Sequence, residues 1–218
     1  MIKYILLDLD GTLTDPGQGI TNSVAYSLKK FGIDVESRES LYKFIGPPIR
    51  DSYMSFCGFD AEKAELAVKY YREYFSDIGI FENTVYDGVI PMLAKLQNCG
   101  FKLILATSKP EVFAERILQH FGLSDFFTVV AGSLLDGKRN AKAEVIEYAL
   151  SLANVSSKDE CVMVGDRDYD IVGAKKNSIK SIGVLYGYGS EQELSKAGAD
   201  LIAANVKELT EILLKGDI

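Results

Sequence analysis

The stretch that most constrains this chain is Tyr4-Ile5-Leu6-Leu7-Asp8-Leu9-Asp10-Gly11-Thr12-Leu13-Thr14-Asp15. Tyr4 to Leu7 is a short apolar run with the length of a buried parallel strand. A buried strand does not tolerate unpaired carboxylates, so it should end where Asp8 begins. Asp8 and Asp10 lie two apart, and in strand geometry both carboxylates point to the same side. Gly11 then permits a tight turn directly beyond them. Two acids at the carboxyl end of a central strand, in the crevice where open α/β sheets bind ligands, suit a hard divalent cation.

The rest of the chain must supply the sheet around that strand. From Ile20 to about Phe81 the periodicity is helical and no strand is expected. Ile20, Val24, Leu28 and Phe31 share one helix face, which Gly32 closes. A short helix is expected near Glu39–Phe44, then helices from about Ile49 to Cys57 and from Ala61 to about Ile78. Strands and helices alternate from about Tyr86 onward. Expected strands are Lys102–Ala106, Phe127–Ala131, Cys161–Val164, Lys180–Val184 and Leu201–Ala203. Expected helices are Val89–Asn98, Glu111–Phe121, one capped by Asn140 and running to about Leu152, Asp168–Lys176, Glu191–Ala197 and Val206–Leu214. This alternation indicates an α/β protein with a Rossmann-like three-layer α/β/α core and a parallel sheet. The helical block, residues 16–84, reads as an insertion, with 1–15 and 85–218 forming the core domain.

Composition narrows the partners. A chain of 218 residues with 47% hydrophobic and 25% charged residues can build one good core plus a small accessory domain. The net charge of −7 argues against nucleic acid or an anionic membrane. No apolar run has the length of a membrane span, and no signal-peptide pattern opens the chain. Cys57, Cys99 and Cys161 are far apart and in no metal-ligand spacing, which suits small buried thiols in a reduced cytoplasmic protein. His120 is the only histidine and follows an apolar helical pattern, so proton transfer near neutral pH falls to carboxylates, Lys, Tyr or a metal-bound water.

Three apolar strands end in the same kind of residue. One ends in Asp8, one in Thr107-Ser108 and one in Gly165-Asp166. In a parallel sheet these tips share one edge, and if the strands are neighbours they converge on one crevice. Phosphoryl transfer fits that set. Asp8 can attack phosphorus, and Asp10 can protonate the leaving alkoxide and later deprotonate water. Mg²⁺ held by Asp8, the Asp10 backbone carbonyl and Asp166 would offset the charge of a phosphate dianion. Thr107 offers a hydroxyl, and Ser108 a backbone N–H just before a helix. Lys142 and Lys138 both offer counter-charge. Lys142 stands just inside a helix start, where a cation is unfavourable unless an anion is close, and is favoured for that reason. Asp170 lies four residues beyond Asp166, one helical turn below it, where it can orient Lys142 or a metal water.

Asp8-x-Asp10, Thr107, Lys142 and Gly165-Asp166-x-x-x-Asp170 resemble the four ordered motifs of haloacid dehalogenase-like phosphatases, over nearly the whole chain. The helical block resembles the cap of the subgroup that includes phosphoglycolate phosphatase and β-phosphoglucomutase. The resemblance implies Asp8 as nucleophile, Asp10 as acid and base, Thr107 and Lys142 as phosphate binders, and Asp166 with Asp170 as metal-site acids. Lys142 precedes Ala143 where the commoner motif has Pro, so Lys138 stays open. Gly46-Pro47-Pro48-Ile49-Arg50 resembles the specificity loop of related caps, with Arg50 or Lys43 meeting a distal anionic group. The implied activity is Mg²⁺-dependent hydrolysis of a small phosphorylated metabolite, phosphoglycolate before a nucleoside 5′-monophosphate, by a monomer or weak homodimer. Phosphomutase and phosphonatase are alternatives within the superfamily. A phospholigand-binding regulator is the alternative outside enzymes.

Overall fold

The computed structural model describes residues 1–216 and 218. In chain order the strands are β1 (Tyr4–Leu7), β2 (Thr14–Asp15), β3 (Thr84–Val85), β4 (Lys102–Pro110), β5 (Phe127–Ser133), β6 (Cys161–Gly165), β7 (Lys180–Val184) and β8 (Leu201–Ala203). The α-helices are α1 (Gly17–Lys29), α2 (Ile49–Cys57), α3 (Ala61–Tyr74), α4 (Val89–Asn98), α5 (Glu111–His120), α6 (Lys142–Leu152), α7 (Asp168–Lys176), α8 (Glu191–Ala197) and α9 (Val206–Lys215). The chain divides into two compact units, Met1–Thr14 with Val85–Ile218, and Asp15–Thr84.

The larger unit is a six-stranded parallel sheet in the order β5-β4-β1-β6-β7-β8. β1 therefore lies between β4 and β6, the two other strands with polar tips. Register aligns Leu7 with Leu105 on one side and Val164 on the other. The sheet is buried on both faces. Leu6, Ile104 and Met163 pack in one cluster with Val145, Ile146 and Ala149 of α6 and Ala174 of α7. The alternate residues Ile5, Leu7, Leu103, Leu105, Val162 and Val164 are also buried, and the strand period turns them to the opposite face. Cys161 belongs to the first cluster, and burial pushes its thiol up to about 11.

The smaller unit is helical. α1 packs on α3, and α3 on α2. Its core is aromatic: Tyr53 stacks on Phe59 with ring centroids 6.0 Å apart, and Phe31 meets Phe59 edge-on at 5.1 Å. Asp60 caps α3 by accepting from Lys63 N–H at 2.8 Å. The segment Phe75–Gly79, expected to continue α3, is a π-helical turn.

The short helix expected near Glu39–Phe44 is present, as a 3₁₀ helix. Several local expectations are corrected. β4 does not stop at Ala106 but continues to Pro110, because it pairs again with β5 through Pro110 and Ser133 after a register shift. Ser108 therefore lies in the strand extension rather than directly before the helix, and its carbonyl accepts from Ser133 Oγ at 2.8 Å. Asn140 does not cap α6. Ala141 holds that position, and Glu144 Oε2 reaches back to the Ala141 N–H at 3.4 Å. Cys161 is buried as expected, but Cys57 is half-buried and Cys99 is exposed. No described helix is long and apolar enough to cross a membrane.

Candidate active site

The site grows from the carboxyl tips of β4, β1 and β6. Asp8 is the first residue beyond β1, and its N–H still donates to Val164 O at 3.0 Å, so it keeps the strand direction. It follows Leu6 on the side of the sheet that α6 covers. Gly11 makes the turn with φ +84°, and a Cβ on it would lie 2.2 Å from Asp166 Oδ2. Only glycine allows both the turn and the approach of that carboxylate.

Lys142, the first residue of α6, reaches the same place. Its Nζ lies 2.7 Å from Asp8 Oδ1, 2.7 Å from Asp170 Oδ1 and 2.9 Å from Ala106 O. Its side chain is only 4% exposed. Burial lowers the affinity of its ammonium for the proton, but the Asp170 and Asp8 charges outweigh that and hold it above the ordinary lysine value. A cation at a helix start is tolerated here because two carboxylates face it. Lys138 is on the surface, 79% exposed and paired with Asp136 at 3.0 Å.

Asp166 and Asp170 come from the tip of β6 and the first turn of α7. Carboxylate oxygens of Asp8, Asp166 and Asp170 lie within 4.8 Å of one another, and all three residues are buried. Asp170 Oδ2 accepts from Arg167 N–H at 3.1 Å, and Asp166 Oδ2 from Tyr188 N–H at 2.8 Å. Asp166 Oδ1 is buried with no hydrogen-bond partner. Burial first, then the neighbouring Asp170 and Asp8 charges, push the Asp166 carboxyl well above the usual range. Burial likewise raises Asp170, with Lys142 pulling against it. An unpartnered oxygen in a cluster of hard oxygen donors fits a divalent cation such as Mg²⁺, with Asp8, Asp166 and Asp170 offering carboxylates. The Asp10 carboxylate is not in that cluster, and the group expected from this residue at the ion is its backbone carbonyl. Asp10 Oδ2 lies 2.5 Å from Lys109 Nζ. Burial raises the Asp10 carboxyl, and Lys109 opposes the shift without cancelling it.

Thr107 follows the Ala106 carbonyl that holds Lys142, is 2% exposed, and accepts the Lys109 N–H at 3.3 Å. The loop Tyr186–Gly189 closes the β6 side. Tyr186 Oη donates to Thr12 O at 3.1 Å, and a Cβ on Gly187 would lie 2.3 Å from Gly11 O. Asp168 is a first-turn acid of α7, as expected, and His120 ends α5 with its ring against Phe121.

The cluster is built from the α/β unit alone. Lys43 and Arg50 belong to the helical unit, where Arg50 Nε pairs with Glu65 at 2.5 Å and Lys43 Nζ stands 5.2 Å from the Phe56 ring centroid. Tyr188 lies in the glycine-rich turn 186–190, which the sequence places at the same sheet edge, whereas nothing in the sequence pattern alone singles out Lys109. Lys109 shares the period-two face of Thr107 once the strand is seen to continue, which is the signal that points to it.

Fold and site together define a known class, and the family comparison agrees: the chain belongs to the haloacid dehalogenase-like hydrolases, whose model matches residues 5–184. It is 44% identical over 209 residues to a 5′-nucleotidase of Pseudomonas aeruginosa, covering 96% of this chain and 94% of that one. It is 37% identical to tyrosine-protein kinase PtkA of Mycobacterium tuberculosis, covering 97% and 72%. It is 27% identical to a phosphoglycolate phosphatase of Colwellia psychrerythraea, covering 90% of each. Among solved structures, a predicted phosphatase from Clostridium acetobutylicum superimposes with TM-score 0.97 at 51% identity, covering 99% of each chain. The chain is a phosphatase of this family.

Proposed function

We propose that this phosphatase is a Mg²⁺-dependent phosphomonoesterase that works through an aspartyl-phosphate on Asp8, with nucleoside 5′-monophosphates as its preferred substrates. The observation that carries the mechanism is the buried cluster of Asp8, Asp166 and Asp170 around Lys142. Bound Mg²⁺ would supply positive charge opposite the phosphate dianion. An Asp8 oxygen attacks phosphorus, and the bond to the ester oxygen breaks as Asp10 gives that oxygen a proton. Water then attacks the acyl phosphate, its proton goes to Asp10, and the Asp8 carboxylate is restored. Lys142 holds Asp8 in line and adds positive charge beside the transferring group. Thr107 Oγ1 and the Ser108 N–H bind phosphoryl oxygens. The helical unit acts as a cap that excludes water, with Arg50 and Lys43 as candidates for the distal part of the substrate.

The relatives support the substrate order. The 5′-nucleotidase is 44% identical and the phosphoglycolate phosphatase 27%, which favours nucleotides over phosphoglycolate, the reverse of the order expected from the sequence. Inorganic phosphate release with Mg²⁺ from nucleoside 5′-monophosphates, phosphoglycolate, pyrophosphate, tyrosyl phosphate and p-nitrophenyl phosphate tests both parts. Nucleotides should lead by about tenfold in kcat/KM, roughly 1.4 kcal/mol. Asp8→Asn should lose about 10⁴-fold or more. An undiminished Asp8→Asn enzyme overturns the mechanism, and a lead for phosphoglycolate overturns the substrate order.

A further inference from the structure

A lysine buried at the end of a strand is tolerated only when its charge is met. Lys109 Nζ meets Asp10 Oδ2 at 2.5 Å, with the two side chains 5% and 12% exposed. The β4 backbone is built to place it. The register shifts between Ala106 and Pro110, where four steps along β4 face two along β5, and interruptions of pairing of this kind re-aim side chains beside active sites. Neighbouring residues brace that stretch. Ser133 Oγ donates to Ser108 O at 2.8 Å. Glu111 Oε2 accepts from Gly132 N–H at 3.1 Å and from Arg139 at 3.0 Å, and Arg139 Nε returns to Gly132 O at 2.7 Å. A Cβ on Gly132 would lie 2.7 Å from Lys109 O, so β5 approaches this stretch only because that residue is glycine. The other Asp10 oxygen is treated differently: Oδ1 is buried with no hydrogen-bond partner.

We propose that Lys109 is a positioning residue for Asp10. Its ammonium anchors Oδ2 and thereby turns Oδ1 toward the leaving oxygen of the ester and later toward the attacking water. The inference rests on the proton-transfer role given to Asp10 above. It carries a kinetic signature that packing alone does not produce. Proton delivery matters most when the leaving oxygen is strongly basic, as in an alkyl phosphate, and least for p-nitrophenyl phosphate. The ratio kcat/KM covers only the steps through transfer to Asp8, so it reports that difference. In kcat, hydrolysis of the aspartyl-phosphate also counts, and Asp10 serves that step whatever group has left.

The test uses the full chain with Mg²⁺, the best alkyl phosphate of the panel and p-nitrophenyl phosphate. Lys109→Met should lower kcat/KM for the alkyl ester by about 100-fold and for the nitrophenyl ester by less than about tenfold. In an Asp10→Asn background the same change should cost almost nothing more, because the two residues act as one unit. Lys109→Gln keeps a donor and should recover part of the alkyl-ester rate. It also carries the same contrast if Lys109→Met does not fold. Equal losses on both esters, or a full additive loss on Asp10→Asn, overturn the proposal while leaving Asp10 in its role. An Asp10→Asn enzyme with wild-type rates on both esters sinks the Asp10 assignment itself, and the proposal with it.

Discussion

A lysine faces an acid at both ends of the β1–β6 pair. At the amino ends, Lys3 Nζ lies 2.5 Å from Glu160 Oε1, with side chains 63% and 24% exposed. At the carboxyl ends, Lys142 Nζ lies 2.7 Å from Asp8 and from Asp170, with side chains 4%, 7% and 1% exposed. The distances are alike and the dielectric is not. Water solvates each charge of the outer pair separately, so neither needs the other. At the inner end removal of one charge strands its partners in a medium that cannot solvate them. That dependence is also what makes the inner end chemically useful, since fixed charges act strongly on a substrate only where water is scarce.

The contrast can be broken most directly at Lys142. Lys142→Met should cost about 3–5 kcal/mol, because Asp8 and Asp170 are left buried without their cation. For a chain of this size that is a fall of roughly 10 °C in melting temperature, read by calorimetry or circular dichroism. Lys138→Met, four residues away on the surface, should leave the melting temperature unchanged. Equal effects from the two lysines would contradict the assigned site.

Metal removal sharpens the comparison next. Asp166 Oδ1 has no hydrogen-bond partner, while Lys142 faces Asp8 and Asp170, so protein stripped with a chelator leaves the Asp166 charge uncompensated. Mg²⁺ at about a hundredfold excess over its dissociation constant should restore about 2.7 kcal/mol. Asp166→Asn should raise the melting temperature of the stripped protein near neutral pH, because its carboxyl is pushed well above the usual range and its charged form opposes the fold. The same variant should respond less to Mg²⁺. A stripped protein that melts at the same temperature with and without Mg²⁺ would refute the cation site.

A third test uses an acid at the outer rim of the sheet. Asp200 Oδ2 accepts from Ser181 N–H and Oγ, both at 2.9 Å. Burial raises the Asp200 carboxyl, but these hydrogen bonds and Lys180 outweigh it, so the group sits below its ordinary value. A depressed acid stabilises the fold above its unfolded pKa, near about 3.9. That contribution is lost as pH falls through its lower folded value. Asp200→Asn should therefore flatten the acid limb of the stability curve by less than about 1 kcal/mol, solvent screening included. Urea midpoints between neutral pH and acid would show it, and an unchanged acid limb would count against the bonds to Ser181. The smallest effect belongs to the outer pair: Lys3→Met should leave both the urea midpoint and phosphatase activity where they were.

The order of α and β elements was readable because burial imposes period on sequence. Ile5-Leu6-Leu7, Leu103-Ile104-Leu105 and Val162-Met163-Val164 are apolar at every position, as strands covered on both faces must be. Asp8, Asp10, Thr107, Lys142, Asp166 and Asp170 were legible as candidates because each stands where an apolar run stops or a helix begins. Lys142 was singled out by a local conflict with the helix dipole, and two carboxylates are what resolve it. The position of Ser108 in the fold, by contrast, is not legible, because the apolar run stops at Ala106 while the strand does not. Hydrogen bonds to β5 carry β4 four residues further.

Local sequence determined the strands, the helices and the positions at which charge enters buried structure, because those depend on neighbours three or four residues away. Only the tertiary structure decided which charges meet. The pairing of Lys109 with Asp10 joins two strand tips nearly a hundred residues apart in sequence, beside a shift in the register between β4 and β5. The unpartnered oxygens of Asp10 and Asp166 exist only once the sheet has closed around them. Long-range burial sets the strength of a charge, and no short stretch of this chain contains that information.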